Sequence, residues 1–254
     1  MAFSPDGLSD HRVAVITGGS RGIGWATADR LARLGYSVVV NYVHDQPTAD
    51  STVEAILGAH GSAVAVRADA SDAIDVERLF ALTIEAFGAV DAVVHTVRGQ
   101  LALAPVAEIA LDDLDAMLRT TSRAAFVVNR EAARHVRNGG AIINLTGSLC
   151  ESAPPGYGPY ATATAAIQEL VRILAVDLRE REITVNALSL DVDRPCAPDR
   201  VADFIAHLLS DSGQGVTGQS LHLDYLSTTQ TARRPVRVNY KDRAQSDGGP
   251  GGET

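Results

Sequence analysis

The run Thr17-Gly18-Gly19-Ser20-Arg21-Gly22-Ile23-Gly24 is the stretch whose residue types and spacing speak most directly of chemistry. It lies between an apolar strand-like run and a helix-period segment. Glycines there let the backbone turn tightly against a pyrophosphate, and the helix that follows offers free N–H groups and a partial positive charge to it. His95 closes another apolar run at an edge where an imidazole can act as acid or base, although a packed histidine suits the same position. Arg98, three residues on, supplies a cation, or fills space. Cys150 has a nucleophile's side chain but no base fixed beside it. His95, His135, His207 and His222 are too scattered for a metal site, and no metal is expected.

The elements that must hold these residues alternate. Strand-like runs at 13–17, 37–41, 63–67, 91–95, 141–145, 183–188 and 220–223 are separated by helix-period segments near 23–34, 48–57, 73–87, 112–136, 161–181 and 200–209. Continuous apolar strands alternating with helices predict a parallel sheet covered on both faces. The expected fold is α/β: a single doubly wound, Rossmann-type parallel sheet of about seven strands in three αβα layers. One domain spans 1–226. Beyond it the pattern stops, and 227–254 reads as a flexible basic tail ending near Gly-Gly-Pro-Gly-Gly.

Composition narrows the function. The chain has 254 residues, 46% hydrophobic and 21% charged, enough for one sizeable core. A net charge of -9 argues against broad contact with a nucleic-acid backbone. No apolar run approaches the ~18 residues of a membrane span, and no secretory leader is visible. Two cysteines make no disulfide framework, so a cytoplasmic location is expected. Lys241 is the single lysine, so the expected domain is left without one.

From Val13 to Asp224 the sequence resembles the classical short-chain dehydrogenases/reductases. The resemblance rests on TGxxxGIG at Thr17, Gly18, Gly22, Ile23 and Gly24, on Ala68-Asp69, on Asp91, on Tyr160 heading a helix, on Val185-Asn186-Ala187 and on Gly218-Gln219. It implies a nicotinamide cofactor held by Gly18, Ser20, Arg21, Gly22, Ile23, Gly24, Asn41, Tyr42, Asp69 and Ala70, with Asp69 on the adenine. The end of the second strand reads Asn41-Tyr42 with no carboxylate before Asp45, and Arg21 can pair with a phosphate; both favour NADP(H) over NAD(H). The resemblance also implies a homodimer or homotetramer paired through the helices starting near Asp112 and Ala161.

The chemistry of the family needs a Tyr, a Lys four residues later, a Ser and an Asn. Tyr160 is present, but Thr164, Gly147 and Thr121 stand at the other three positions. Thr164 brings no cation to the phenol. Thr146 and Ser148 flank Gly147, so a one-residue slip would restore a hydroxyl. His95-Thr96-Val97-Arg98 replaces Asn-Asn-Ala-Gly, and the helices of the substrate lid are missing before Pro198. Candidate catalytic groups are therefore Tyr160, His95, Arg98 and Ser148. Three readings follow. The first is an NADP(H)-binding oxidoreductase on a small alcohol or carbonyl substrate with atypical catalytic residues. The second is a pseudoenzyme, a binding or regulatory subunit that pairs with an active homologue. The third is a non-redox cyclase or dehydratase using His95, Arg98 and Tyr160.

Overall fold

A computed structural model describes residues 12–96, 103–148, 155–191 and 196–223. Seven strands form one parallel sheet: β1 (Val13–Thr17), β2 (Ser37–Tyr42), β3 (Ser62–Arg67), β4 (Val90–His95), β5 (Val136–Ser148), β6 (Thr184–Asp191) and β7 (Ser220–Leu223). Their spatial order is β3-β2-β1-β4-β5-β6-β7. The order reverses at β1, and the crevice between the carboxyl ends of β1 and β4 is where such sheets take ligands.

Alternation of side chains across the pleat divides the core in two. Val15, Val93, Ile142 and Val185 face one layer of helices, α3 (Ala73–Phe87), α5 (Ala124–His135) and α6 (Gly158–Asp177). Ile16, Val94, Ile143 and Leu188 face the other, α1 (Gly22–Arg33), α2 (Gln46–Gly58) and α7 (Pro198–Leu208). Local signals set the helix ends. Asp72 caps α3 by accepting from the Ile74 and Asp75 N–H groups, and Gly88 closes that helix at φ 81°.

One expected element differs. The helix over 112–136 is interrupted: α4 (Leu111–Leu118) passes into a π-helical turn at Arg119–Arg123, and α5 follows. Its Thr-Thr-Ser run explains the break. The Thr120 hydroxyl bonds back to the Ala116 carbonyl at 2.8 Å, and the Ser122 hydroxyl leaves the helix to donate to the Ala163 carbonyl of α6 at 2.9 Å. The shortened lid is seen in the spacing of its neighbours, with β6 ending at Asp191 and α7 starting at Pro198. The expected tail, 227–254, lies outside the described residues.

Candidate functional site

The glycine turn has the geometry its sequence implies. Gly18 and Gly22 adopt left-handed backbone, φ 67° and 56°. A β-carbon on Gly24 would fall on the Gly18 carbonyl and within 3.0 Å of the Gly19 α-carbon, so only glycine lets α1 start this close to the turn. Arg21 occupies the N-cap without a side-chain capping bond, leaving the first N–H groups of α1 to a ligand. Its own side chain is exposed, whereas Ser20 is buried.

Asn41 shapes this turn from below. It is buried, accepts from the Gly18 N–H at 3.4 Å and donates to the Ala68 carbonyl at 2.9 Å. Its amide therefore joins the turn to the end of β3 and is engaged by protein; Tyr42 beside it packs into the core. The carboxylate of Asp45 caps α2, accepting from the Thr48 N–H at 3.2 Å. Hydrogen bonding to Thr48, with the positive charge of Arg21, holds that carboxyl below its usual range. Asp69 lies two residues beyond β3, next to buried Ala70. Burial pushes the Asp69 carboxyl up, but hydrogen bonds from the Ser71 N–H and hydroxyl, both 2.8 Å, with the charges of Arg119 and His44, hold it below the usual range. A cavity of ≈ 400 Å³ opens outward from Asp69, lined by Val43, His44, Arg67, Asp75 and Arg78.

The catalytic end is packed differently. Tyr160, in the first turn of α6, is only 5% exposed and lies against Met117 and Ala163, with the Tyr157 ring edge-on at 6.3 Å. A β-carbon on Gly147 would land on the Tyr160 hydroxyl, with the phenol Cζ 2.6 Å away. Four residues along α6, the Thr164 hydroxyl turns back to the Tyr160 carbonyl at 2.9 Å. Thr121 is buried in the π-helical turn. The positions expected for a serine, a lysine and an asparagine, Gly147, Thr164 and Thr121, thus lie in β5, α6 and the π-helical turn.

His95 is fully buried at the end of β4, and its Nδ1 lies 2.8 Å from the Thr17 hydroxyl. Thr17 Oγ1 also accepts from the Thr96 N–H at 3.3 Å, and the buried Nε2 of His95 has no hydrogen-bond partner among the described residues. Burial pushes the imidazole down to about 4, so it is neutral near pH 7. The Thr96 hydroxyl adds a 2.6 Å bond to the Thr17 carbonyl. His95 therefore touches the phosphate turn through Thr17, a link that the strand pattern did not reveal. Nor did it reveal the buried pair Asn129 and Asn144, joined by bonds of 2.7 and 3.0 Å. The legible signal was a polar residue inside an apolar run. Arg98, Cys150, Glu151 and the Ser148 side chain lie outside the described residues. Among the described residues no group of three metal-binding side chains occurs, and no helix is long and apolar enough to cross a membrane.

A glycine turn at the switch point of a parallel doubly wound sheet, with an acid just past the end of β3, is the arrangement of a Rossmann-like α/β protein. Comparison with known proteins refines that class. Residues 18–192 match a family model described as enoyl-(acyl carrier protein) reductase. Versicolorin reductase 1 of Aspergillus parasiticus is 37% identical over 182 residues, 71% of this chain and 69% of that protein. A short-chain dehydrogenase/reductase from Serratia marcescens has a similar structure, with TM-score 0.80 and 33% identity over 84% of this chain and 96% of its own. A short-chain dehydrogenase from Burkholderia cenocepacia in complex with NADP aligns with TM-score 0.78 and 32% identity, covering 85% of this chain and 97% of its own. The chain belongs to the short-chain dehydrogenase/reductase family.

Proposed function

We propose that this chain binds NADP(H) at the β1–α1 turn and acts as an oxidoreductase on a small alcohol or carbonyl compound, without the family's serine, lysine and asparagine. The observation that carries the reading is the contrast between its two ends. At the nucleotide end, Gly18, Gly22 and Gly24 keep the backbone that a pyrophosphate needs. Gly18, Ser20, Arg21, Gly22, Ile23 and Gly24 would hold the phosphates and Asp69 with Ala70 the adenine. Asn41 supports the turn and Tyr42 backs it. Arg21 is the cation for a 2′-phosphate, and Asp45, turned into the cap of α2, competes with that phosphate less than a free carboxylate would. The cofactor, when bound, supplies or accepts hydride. The NADP complex of the Burkholderia relative supports this choice.

At the other end a proton has to be moved by groups other than the family's set. Tyr160, the neutral His95, Arg98 and Ser148 are the candidates. Each missing group typically costs ~10²–10⁴-fold in proton-transfer catalysis, so turnover is expected to be slow. The test is calorimetric titration with NADPH and NADH, then NADPH oxidation across a panel of small ketones and aldehydes. Micromolar NADPH binding and carbonyl-dependent oxidation that falls in Tyr160→Phe support the reading. The absence of binding to either nucleotide overturns it.

A second reading is favoured by the packing of Tyr160 against Met117 and over Gly147: a nucleotide-binding subunit that turns nothing over alone and pairs with an active homologue. Phe126 on α5 and Ile173 and Val176 on α6 are at least half exposed, and would supply apolar surface for a homodimer, a homotetramer or such a mixed assembly. Binding of NADPH without turnover, together with co-purification of a catalytically complete homologue, distinguishes this reading from the first.

A further inference from the structure

Thr146 on β5 and Ser189 on β6 are register partners in adjacent parallel strands, so both side chains stand on the same face of the sheet. Each interrupts a buried run, and each is only 1% exposed. Neither hydroxyl has a hydrogen-bond partner among the described residues, and the two do not bond each other. A buried hydroxyl left without a partner costs free energy, and native proteins rarely keep two side by side unless something bridges them.

We infer that these two hydroxyls form a built site for one uncharged oxygen, with water as its resident. A water offers two donors and two acceptors, enough to serve both hydroxyls at once. Charge argues against an ion. Asn144 and Ala187 form the preceding register pair on this face, and Ser148 and Asp191 the following one, so the nearest charged position along the strands is a carboxylate, which repels anions. Between those two register pairs a cation would find only two neutral hydroxyls, too few hard ligands to replace its hydration shell. The site sits one residue inside the Gly147 and Leu190 pair along the two strands. It does not depend on the proposed reaction.

The experiment uses the full chain without added ligand. Thermal unfolding is compared for the wild type, Thr146→Val, Ser189→Ala and the double variant, and long-lived internal waters are counted by oxygen-17 relaxation dispersion. Thr146→Ser, which keeps the hydroxyl, is the folding control. The expected result is a midpoint lowered by about 2–4 °C for either single variant, a non-additive double variant, and one long-lived water lost. Thr146→Ser should retain that water. If Thr146→Val and Ser189→Ala raise the midpoint or leave it unchanged, the hydroxyls were uncompensated and the inference is overturned. An unchanged water count overturns it as well, even where stability falls.

Discussion

The Tyr160 hydroxyl stands where the β-carbon of any larger residue at Gly147 would have to be. This single contact connects residues 147 and 160, which look independent in the sequence. The absence of a side chain at residue 147 leaves the phenol room, and the phenol packs in a small core with Met117 and Ala163. With Thr164 bonded to the main chain, no side chain at the lysine position draws the phenol outward. Gly147→Ala should therefore destabilise the fold by about 1–3 kcal/mol through overpacking. In a Tyr160→Leu background most of that cost should disappear. A denaturant double-mutant cycle measures the coupling; simple additivity of the two substitutions would show that the contact is not the cause.

The turn glycines should differ in what they tolerate. Gly22 has a left-handed backbone but open space around its missing β-carbon, so Gly22→Ala should cost only about 1–2 kcal/mol of conformational strain. Gly24 has the opposite problem. Its β-carbon would meet the Gly18 carbonyl, and backbone cannot move aside as a side chain can. Gly24→Ala should displace the start of α1 and weaken NADPH binding by about tenfold or more, roughly 1.4 kcal/mol. Calorimetric titration of both variants checks the ranking. Equal losses at the two positions would mean that strain, not close approach, governs the turn.

Selectivity for the 2′-phosphate should depend on the balance between Arg21 and Asp45. The carboxylate is partly satisfied by Thr48 but still feels the guanidinium. Arg21→Ala should lower NADPH affinity by about tenfold while leaving NADH nearly unchanged. Asp45→Asn should move the ratio the other way, since the amide oxygen can still cap α2 but no longer competes for Arg21. The ratio of the two dissociation constants is the readout, because a general loosening of the turn would weaken both nucleotides together.

The strands and the phosphate turn were legible because apolar runs and glycine spacing are local properties. Val13–Thr17 and Ser220–Leu223 can be bounded from the sequence alone. The π-helical turn was not legible, because it depends on Ser122 finding a carbonyl on α6, a partner 41 residues away in the chain. Asn41 illustrates the same limit within the site. Its position at the end of β2 suggests a cofactor contact, yet the side chain is engaged by Gly18 and Ala68, one of which belongs to a different strand connection. Likewise the sequence shows a glycine at residue 147, but only the packing of α6 shows that the Tyr160 hydroxyl fills the space beside it. Residue types can be read in one dimension; which polar atoms remain available to a ligand depends on contacts between elements.

His95 should make the folded state sensitive to acid. Burial lowers its imidazole to about 4, while an unfolded chain would have it near 6.5. Between these values the unfolded state binds the extra proton, so stability rises with pH there. The contribution is fully present above about pH 6.5, is lost as pH falls toward 4, and changes no further below that. The size is roughly 3 kcal/mol. Asp45 and Asp69, both held below their usual range, add losses at still lower pH, so the histidine must be isolated by substitution. His95→Asn keeps a hydrogen-bonding group for the Thr17 hydroxyl and does not titrate. Urea unfolding at pH 7.5 and pH 4.5 should show a pH-dependent loss in the wild type that is smaller by this amount in the variant. NADPH affinity at pH 7.5 should survive the substitution, because the Thr17 contact that steadies the turn is retained. An equal pH dependence in both proteins would place the imidazole in water rather than between β1 and β5.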